Sequence, residues 1–147
     1  MPSCAPALVP LALVDSHCHL DAPEFAADRD SVLARARASG VVAQIIPAVT
    51  AASFSALAQL TAAEPDLHAA YGLHPMFLAE HRPQDLELVR ERLSSGTAVA
   101  VGECGLDYFV EDLDPEQQRG YFLAQVQLAQ EFDLPLVLHA RRSVDEV

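Results

Sequence analysis

Asp15-Ser16-His17-Cys18-His19-Leu20 sets two imidazoles two residues apart, directly after an apolar run over residues 8–14 that reads as a buried strand. If the strand continues through the motif, side chains alternate between its faces. Asp15, His17 and His19 then share one face, and Ser16, Cys18 and Leu20 the other. Two neutral imidazoles on one side of a strand can reach a single divalent cation, with metal–nitrogen bonds of about 2.0–2.1 Å. Asp15, one step deeper, could hold a ring N–H and so orient a ligand histidine. An H-x-H pair alone is more often solvated than metal-bound, so its meaning depends on what else the chain brings to the same place.

Three later stretches bring more. His74 stands in Gly72-Leu73-His74-Pro75, Glu103 in Val101-Gly102-Glu103-Cys104-Gly105-Leu106-Asp107, and His139 closes the run Leu134-Pro135-Leu136-Val137-Leu138. Alternation places Glu103 on one face with Val99 and Val101 and turns Cys104 away. A carboxylate among histidines can bridge two cations about 3.5–4 Å apart. The chain has no lysine that could serve as a carboxylated bridge, which leaves Glu103 in that role.

The elements that must position these groups alternate regularly. Apolar strands are expected at residues 41–49, 67–71, 97–103 and 134–139, besides the one entering the H-x-H motif. Helices are expected at 30–39, 51–64 and 83–95. A longer one opens at Asp114-Pro115-Glu116-Gln117, where Asp caps and Pro takes the first turn; Phe122, Val126 and Ala129 form its buried stripe. This βα pattern argues for a parallel sheet with outer helices, whose functional residues gather where strands end. Four strand ends delivering His17/His19, His74, Glu103 and His139 favour a barrel, because barrel strand ends converge. The fold class expected is α/β, a (β/α)8 TIM-barrel type left incomplete at about five strands. Eight strands need about 250 residues. Ser143-Val144-Asp145-Glu146 reads as the capping box of a further helix. Residues 1–147 are therefore expected to be the N-terminal part of a single barrel domain.

Composition limits the alternatives. At 51% hydrophobic residues, the 147-residue chain can bury a core, and no apolar run reaches the ~20 residues of a membrane span. The start lacks the basic region of a cleaved signal peptide. Cys4, Cys18 and Cys104 have no zinc-finger spacing, and their odd number suits a reducing cytoplasm better than a disulfide framework. The net charge of −12, with all nine basic residues arginine, excludes a broad basic face for gripping nucleic acid. Affinity for phosphate would have to come from local charge, bound metal above all.

The stretches DSHCHLD, GLHP, VGECGLDY and PLVLHARRS, in this order and spacing, resemble the TatD family of metal-dependent hydrolases and deoxyribonucleases. The resemblance covers nearly all of the chain after residue 12. It implies a (β/α)8 barrel with two divalent ions (zinc, magnesium or manganese), His17 and His19 holding one, Glu103 bridging, and His139 holding the second. His74 and Arg141 would face a substrate phosphate. The family pattern also needs a further His and an Asp from later strands, the Asp steering the attacking water.

The implied reaction is hydrolysis of DNA phosphodiester bonds, at single strands or ends that can thread into a barrel mouth. Two other readings stay open. A barrel enzyme of the same ancestry could act on a small ester, amide or phosphoester, which suits the acidic charge. A non-catalytic fragment could persist as a homo-oligomer, or with a second chain completing the barrel, since unpaired edge strands invite association.

Overall fold

The computed structural model describes residues 12–147. Cys4 and the first part of the apolar run lie outside them. Five strands form one sheet: β1 (Leu13–Asp15), β2 (Val41–Pro47), β3 (Leu67–Tyr71), β4 (Ala98–Asp107) and β5 (Leu136–Arg141). All pairings are parallel and the order is sequential, β1 to β5. The crossovers carry α1 (Arg29–Ala38), α2 (Phe54–Ala63), α3 (Asp85–Ser94) and α4 (Pro115–Phe132). Short 3-10 turns lie at Pro23–Phe25, Ala51–Ser53 and Pro75–Glu80. This is the expected parallel half-barrel. Its outer strands β1 and β5 each have a single neighbour.

The core lies between sheet and helices. Ile46, Leu67, Ala69, Tyr71 and Val101 from the strands meet Leu33, Phe54, Leu57, Val89, Leu93, Tyr121 and Leu128 from the helices. A second cluster joins Cys104 and Leu106 of β4 to Phe122 of α4. At the start of α4, the Asp114 carboxylate accepts from the Glu116 and Gln117 N–H groups. That satisfies two donors which an open helix start leaves without partners.

Two glutamines interrupt the apolar stripe of α4, seven residues apart and fully buried. Gln118 accepts from the Asp107 N–H at 2.7 Å and donates to the Asp107 carbonyl at 2.9 Å. Gln125 does the same for Leu73, at 2.7 and 3.2 Å. Each amide replaces the ladder partners that a residue leaving a strand has lost. Together they fix the backbone beside His74 and at the end of β4.

Three expectations are corrected. The sheet assignment of β1 ends at Asp15, before the histidines, although Cys18 N–H still bonds the Ile45 carbonyl at 3.0 Å and keeps the chain alongside β2. β4 and β5 each run beyond the expected end, to Asp107 and Arg141. The pairing of β4 with β5 shifts register between Val101 and Cys104. That shift reverses simple alternation: Val101 and Cys104, three apart, both pack in hydrophobic clusters with α4, and Glu103 does not share the Val101 face. Gly102, at φ 146°, makes the irregularity possible, and a Cβ there would sit 2.5 Å from the Val137 carbonyl oxygen. The Ser143 hydroxyl donates to the Leu106 carbonyl at 2.8 Å, pinning the chain as it leaves β5, and the Glu146 N–H bonds the Ser143 carbonyl at 2.9 Å.

Candidate metal centre

Glu103 is the hub. It is 6% exposed, and its two oxygens serve different partners. Oε2 lies 3.0 Å from His17 Nε2 and 3.6 Å from His19 Nε2. Oε1 lies 3.3 Å from His74 Nε2 and 3.1 Å from His139 Nδ1. The ligand-type atoms of His17, His19 and Glu103 fall within 4.8 Å of one another, as do those of His74, Glu103 and His139. Sequence reasoning put these five residues at one rim, and the structure brings all five together. Burial alone would raise the Glu103 carboxyl. Hydrogen bonds from the facing histidines, His19 and His74 first, outweigh it and hold the group well below the usual carboxylate range.

Hydrogen-bond roles separate His74 from the others. The Met76 N–H donates to His74 Nδ1 at 3.1 Å, so that nitrogen carries no proton. In the neutral ring Nε2 then carries it and donates to Glu103 Oε1. His74 is thereby a donor facing the site. His81 steadies it: the His81 Nε2–H donates to the His74 carbonyl at 2.8 Å, and burial lowers the His81 pKa and keeps that ring neutral.

His139 is the reverse case. Its Nε2 lies 2.9 Å from Asp107 Oδ2, and Asp107 Oδ1 already accepts from the Phe109 and Val110 N–H groups. Burial raises the Asp107 carboxyl, but the bond to His139 and those two N–H groups prevail and lower it, so it stays an acceptor. His139 Nε2 must donate, which leaves the Nδ1 lone pair facing Glu103 Oε1. Two acceptors 3.1 Å apart repel unless a cation or proton lies between them.

The same conflict appears on the other flank. His17 Nε2 and His19 Nε2 stand 3.3 Å apart and both address Glu103 Oε2. Ligand atoms on one tetrahedral ion with bonds of about 2.0–2.1 Å are separated by about 3.3 Å. The donor set, imidazole nitrogens with a shared carboxylate, is of the kind that holds divalent transition ions. The residues fit divalent metal.

Asp107 is a candidate site residue that sequence reasoning missed. The signal was present: Asp107 closes the same VGECGLD stretch four residues after Glu103. The other miss is Asp21. Asp15, expected to orient a ring, instead accepts the His17 backbone N–H at 3.2 Å. Behind His19 stands Asp21, whose Oδ1 is buried without a hydrogen-bond partner and lies 4.0 Å from His19 Nδ1. Burial raises the Asp21 carboxyl. His19 is raised chiefly by its hydrogen bond to Glu103. Arg141 stands at the end of β5 with its guanidinium 3.6 Å above the centre of the Phe109 ring, outside the ligand cluster. A groove of about 550 Å³ opens beside His19 and His74, lined by Pro23, Val49, Met76 and Phe77 among others. Among the described residues no helix is long and apolar enough to cross a membrane.

Comparison with known proteins identifies the family and the fold. The chain is 40% identical over 136 residues to the uncharacterized metal-dependent hydrolase YjjV of Escherichia coli K12, covering 91% of this chain and 52% of that protein. It is 36% identical over 132 residues to the 3'-5' ssDNA/RNA exonuclease TatD of Erwinia tasmaniensis, covering 89% and 51%. The crystal structure of Escherichia coli YjjV superposes with a TM-score of 0.87 over 90% of this chain and 52% of that one. The chain thus spans about half the length of the curated relatives it matches. The sequence profile described as TatD related DNase matches residues 14–147, and the chain belongs to that family.

Proposed function

We propose that the protein is a divalent-metal-dependent hydrolase that cuts nucleic-acid phosphodiester bonds when its barrel is complete. The observation that carries this reading is the division of Glu103, one oxygen toward His17 and His19 and the other toward His139. His17, His19 and Glu103 would hold one ion, and Glu103 with His139 a second. Such ions would supply the charge that activates a water and neutralises a phosphate in the transition state. The relative named as an ssDNA/RNA exonuclease supports nucleic acid as the substrate class.

The chain's own residues have distinct tasks in this reading. Asp107 holds the His139 ring with Nδ1 unprotonated and aimed at Glu103. Glu103 stays ionised because its histidine partners outweigh its burial. The His74 Nε2–H, which rests on Glu103 Oε1 at 3.3 Å, would turn to a phosphate oxygen when substrate enters, and Arg141 adds a fixed positive charge at the rim. Residues 1–147 form the first part of one barrel domain; its remaining strands lie beside the free edges of β1 and β5, supplied by further chain or by a partner.

The net charge of −12 favours a second reading, a small phosphoester as substrate. End-labelled single-stranded DNA, incubated with the complete-barrel protein and magnesium or manganese, separates the two. Release of nucleotides from the ends, abolished by chelator, is the expected result. Cleavage of a small phosphodiester without any cleavage of DNA would select the second reading. Cleavage that ignores chelator would overturn both.

A further inference from the structure

Most of the nine arginines have an evident local role. Arg37, Arg90 and Arg119 pair with carboxylates, and Arg29 donates to the Leu20 carbonyl. Arg141 and Arg142 differ. Neither makes an ion pair among the described residues, although Glu111, Asp112 and Asp145 lie on the adjoining loops. Both guanidiniums instead rest over one ring, Phe109, at 3.6 and 4.6 Å from its centre.

Adjacent residues of an extended strand point to opposite faces. Arg142 escapes that rule by adopting the left-handed conformation, φ 55°, which costs energy in a residue with a Cβ. The turn is held in place by the buried Ser143 hydroxyl on Leu106. Phe109 is 43% exposed, so the aromatic side chain serves no core. The result is two uncompensated positive charges gathered on an exposed ring, in a protein of net charge −12.

This shelf is joined to the metal centre. The Asp107 carboxylate that orients His139 also accepts the Phe109 N–H at 2.9 Å. Arg141 follows His139 by two residues on the same face of β5, about 6.6 Å along the strand. Two guanidinium forks with open N–H groups are suited to phosphate oxygens. The ring holds them by cation–π attraction without using those donors.

We propose that Phe109, Arg141 and Arg142 form a subsite for a backbone phosphate of a nucleic-acid strand, distinct from the phosphate being hydrolysed. The proposal rests on the nuclease reading and extends it to a second phosphate. The subsite explains how an acidic protein holds a polyanion: two charges are placed where the strand must pass.

The test uses Arg142→Ala and Phe109→Ala, made in the protein with its barrel complete, with three measurements. For end-labelled single-stranded DNA, KM should rise about tenfold in each variant with kcat nearly unchanged. For bis(4-nitrophenyl) phosphate, which has one phosphate, kcat/KM should stay within about twofold of wild type. Binding of fluorescein-labelled single-stranded DNA in EDTA should weaken, and for Arg142→Ala its salt slope should fall by about 0.7, the value for one single-strand phosphate contact. Parallel losses on both substrates would make the shelf structural and overturn the proposal, as would unchanged DNA binding. Protein with a complete barrel that binds DNA through Arg142 but does not cut it would sustain the subsite and sink the nuclease reading. Wild-type protein that neither binds nor cuts DNA would sink both.

Discussion

His139 and His19 flank Glu103 on opposite sides, and each has a carboxylate behind its ring, but the two couples differ in tightness. Asp107 meets His139 at 2.9 Å, fully buried, with its other oxygen held by two backbone N–H groups and its own backbone held by Gln118. Asp21 stands 4.0 Å from His19, too far for a hydrogen bond, and its Oδ1 has no partner. His139 is largely buried; the side chains of His17 and His19 are more than a third exposed. One flank is set before any ion arrives, and the other has freedom to adjust to one. Ligands held in advance lose less conformational freedom on binding, so the two flanks should differ in what they contribute to affinity.

The largest effect should come from the residue they share. Glu103→Gln removes the charge from both flanks. Zinc or manganese uptake followed by calorimetry should fall by more than about 100-fold, beyond the range typical of an outer carboxylate. His19→Ala should remove one step of uptake and His139→Ala the other. A Glu103→Gln protein that still bound one ion normally would show that the flanks do not meet at this residue.

The comparison itself is tested by Asp107→Asn against Asp21→Asn. An asparagine at 107 can turn either its oxygen or its NH2 toward His139, and so stops enforcing one tautomer. Metal affinity should drop about 10–100-fold. At Asp21 no hydrogen bond exists to lose, and the drop should stay below about tenfold. Equal losses would mean that the 4.0 Å gap closes when metal binds. Thermal melts of both variants in chelator separate lost affinity from lost folding.

The contrast between the flanks also marks where the sequence was readable. The parallel βα order, the four ligand-bearing stretches and the Asp114 cap follow from periodicity and local chemistry, which act over a few residues. The tight flank depends on events that do not. The register shift between Val101 and Cys104 comes from Gly102 packing against Val137, thirty-five positions away. The clamping of Asp107 depends on Gln118 reaching across from α4, where a glutamine on an apolar stripe looks like a blemish. The Ser143 hydroxyl reaches the Leu106 carbonyl of β4, a partner that no local pattern names. Local pattern located the residues; the tertiary pairing of Asp107 with His139 lay beyond it.

The smallest expected effect reads the flanks through their cysteines. Cys18 lies between His17 and His19, half-buried, with its thiol 3.7 Å from the Gln44 side-chain oxygen. Cys104 follows Glu103 and is fully buried against Leu106 and Phe122. Burial raises both thiols, and pushes Cys104 up to about 12 with some help from the Glu103 charge. Alkylation needs the thiolate, whose fraction falls tenfold per unit that the pKa stands above the pH. At pH 8 iodoacetamide should therefore modify Cys18 at least about tenfold faster than Cys104, with peptide mass mapping to separate the two sites. The sign of the pH effect follows from linkage. Between the ordinary thiol value of about 8.5 and the folded value of about 12, the unfolded chain loses a proton that the native state keeps, so stability falls as pH rises. Alkylation of Cys104 should then track global unfolding, while Cys18 reports local opening of the looser flank. Added zinc or manganese should slow Cys18 by ordering His17 and His19, and should change Cys104 only as far as it stabilises the whole fold. Comparable rates at the two cysteines would show that the β4 flank opens as freely as the β1 flank, and the proposed difference in preorganisation would fall with it.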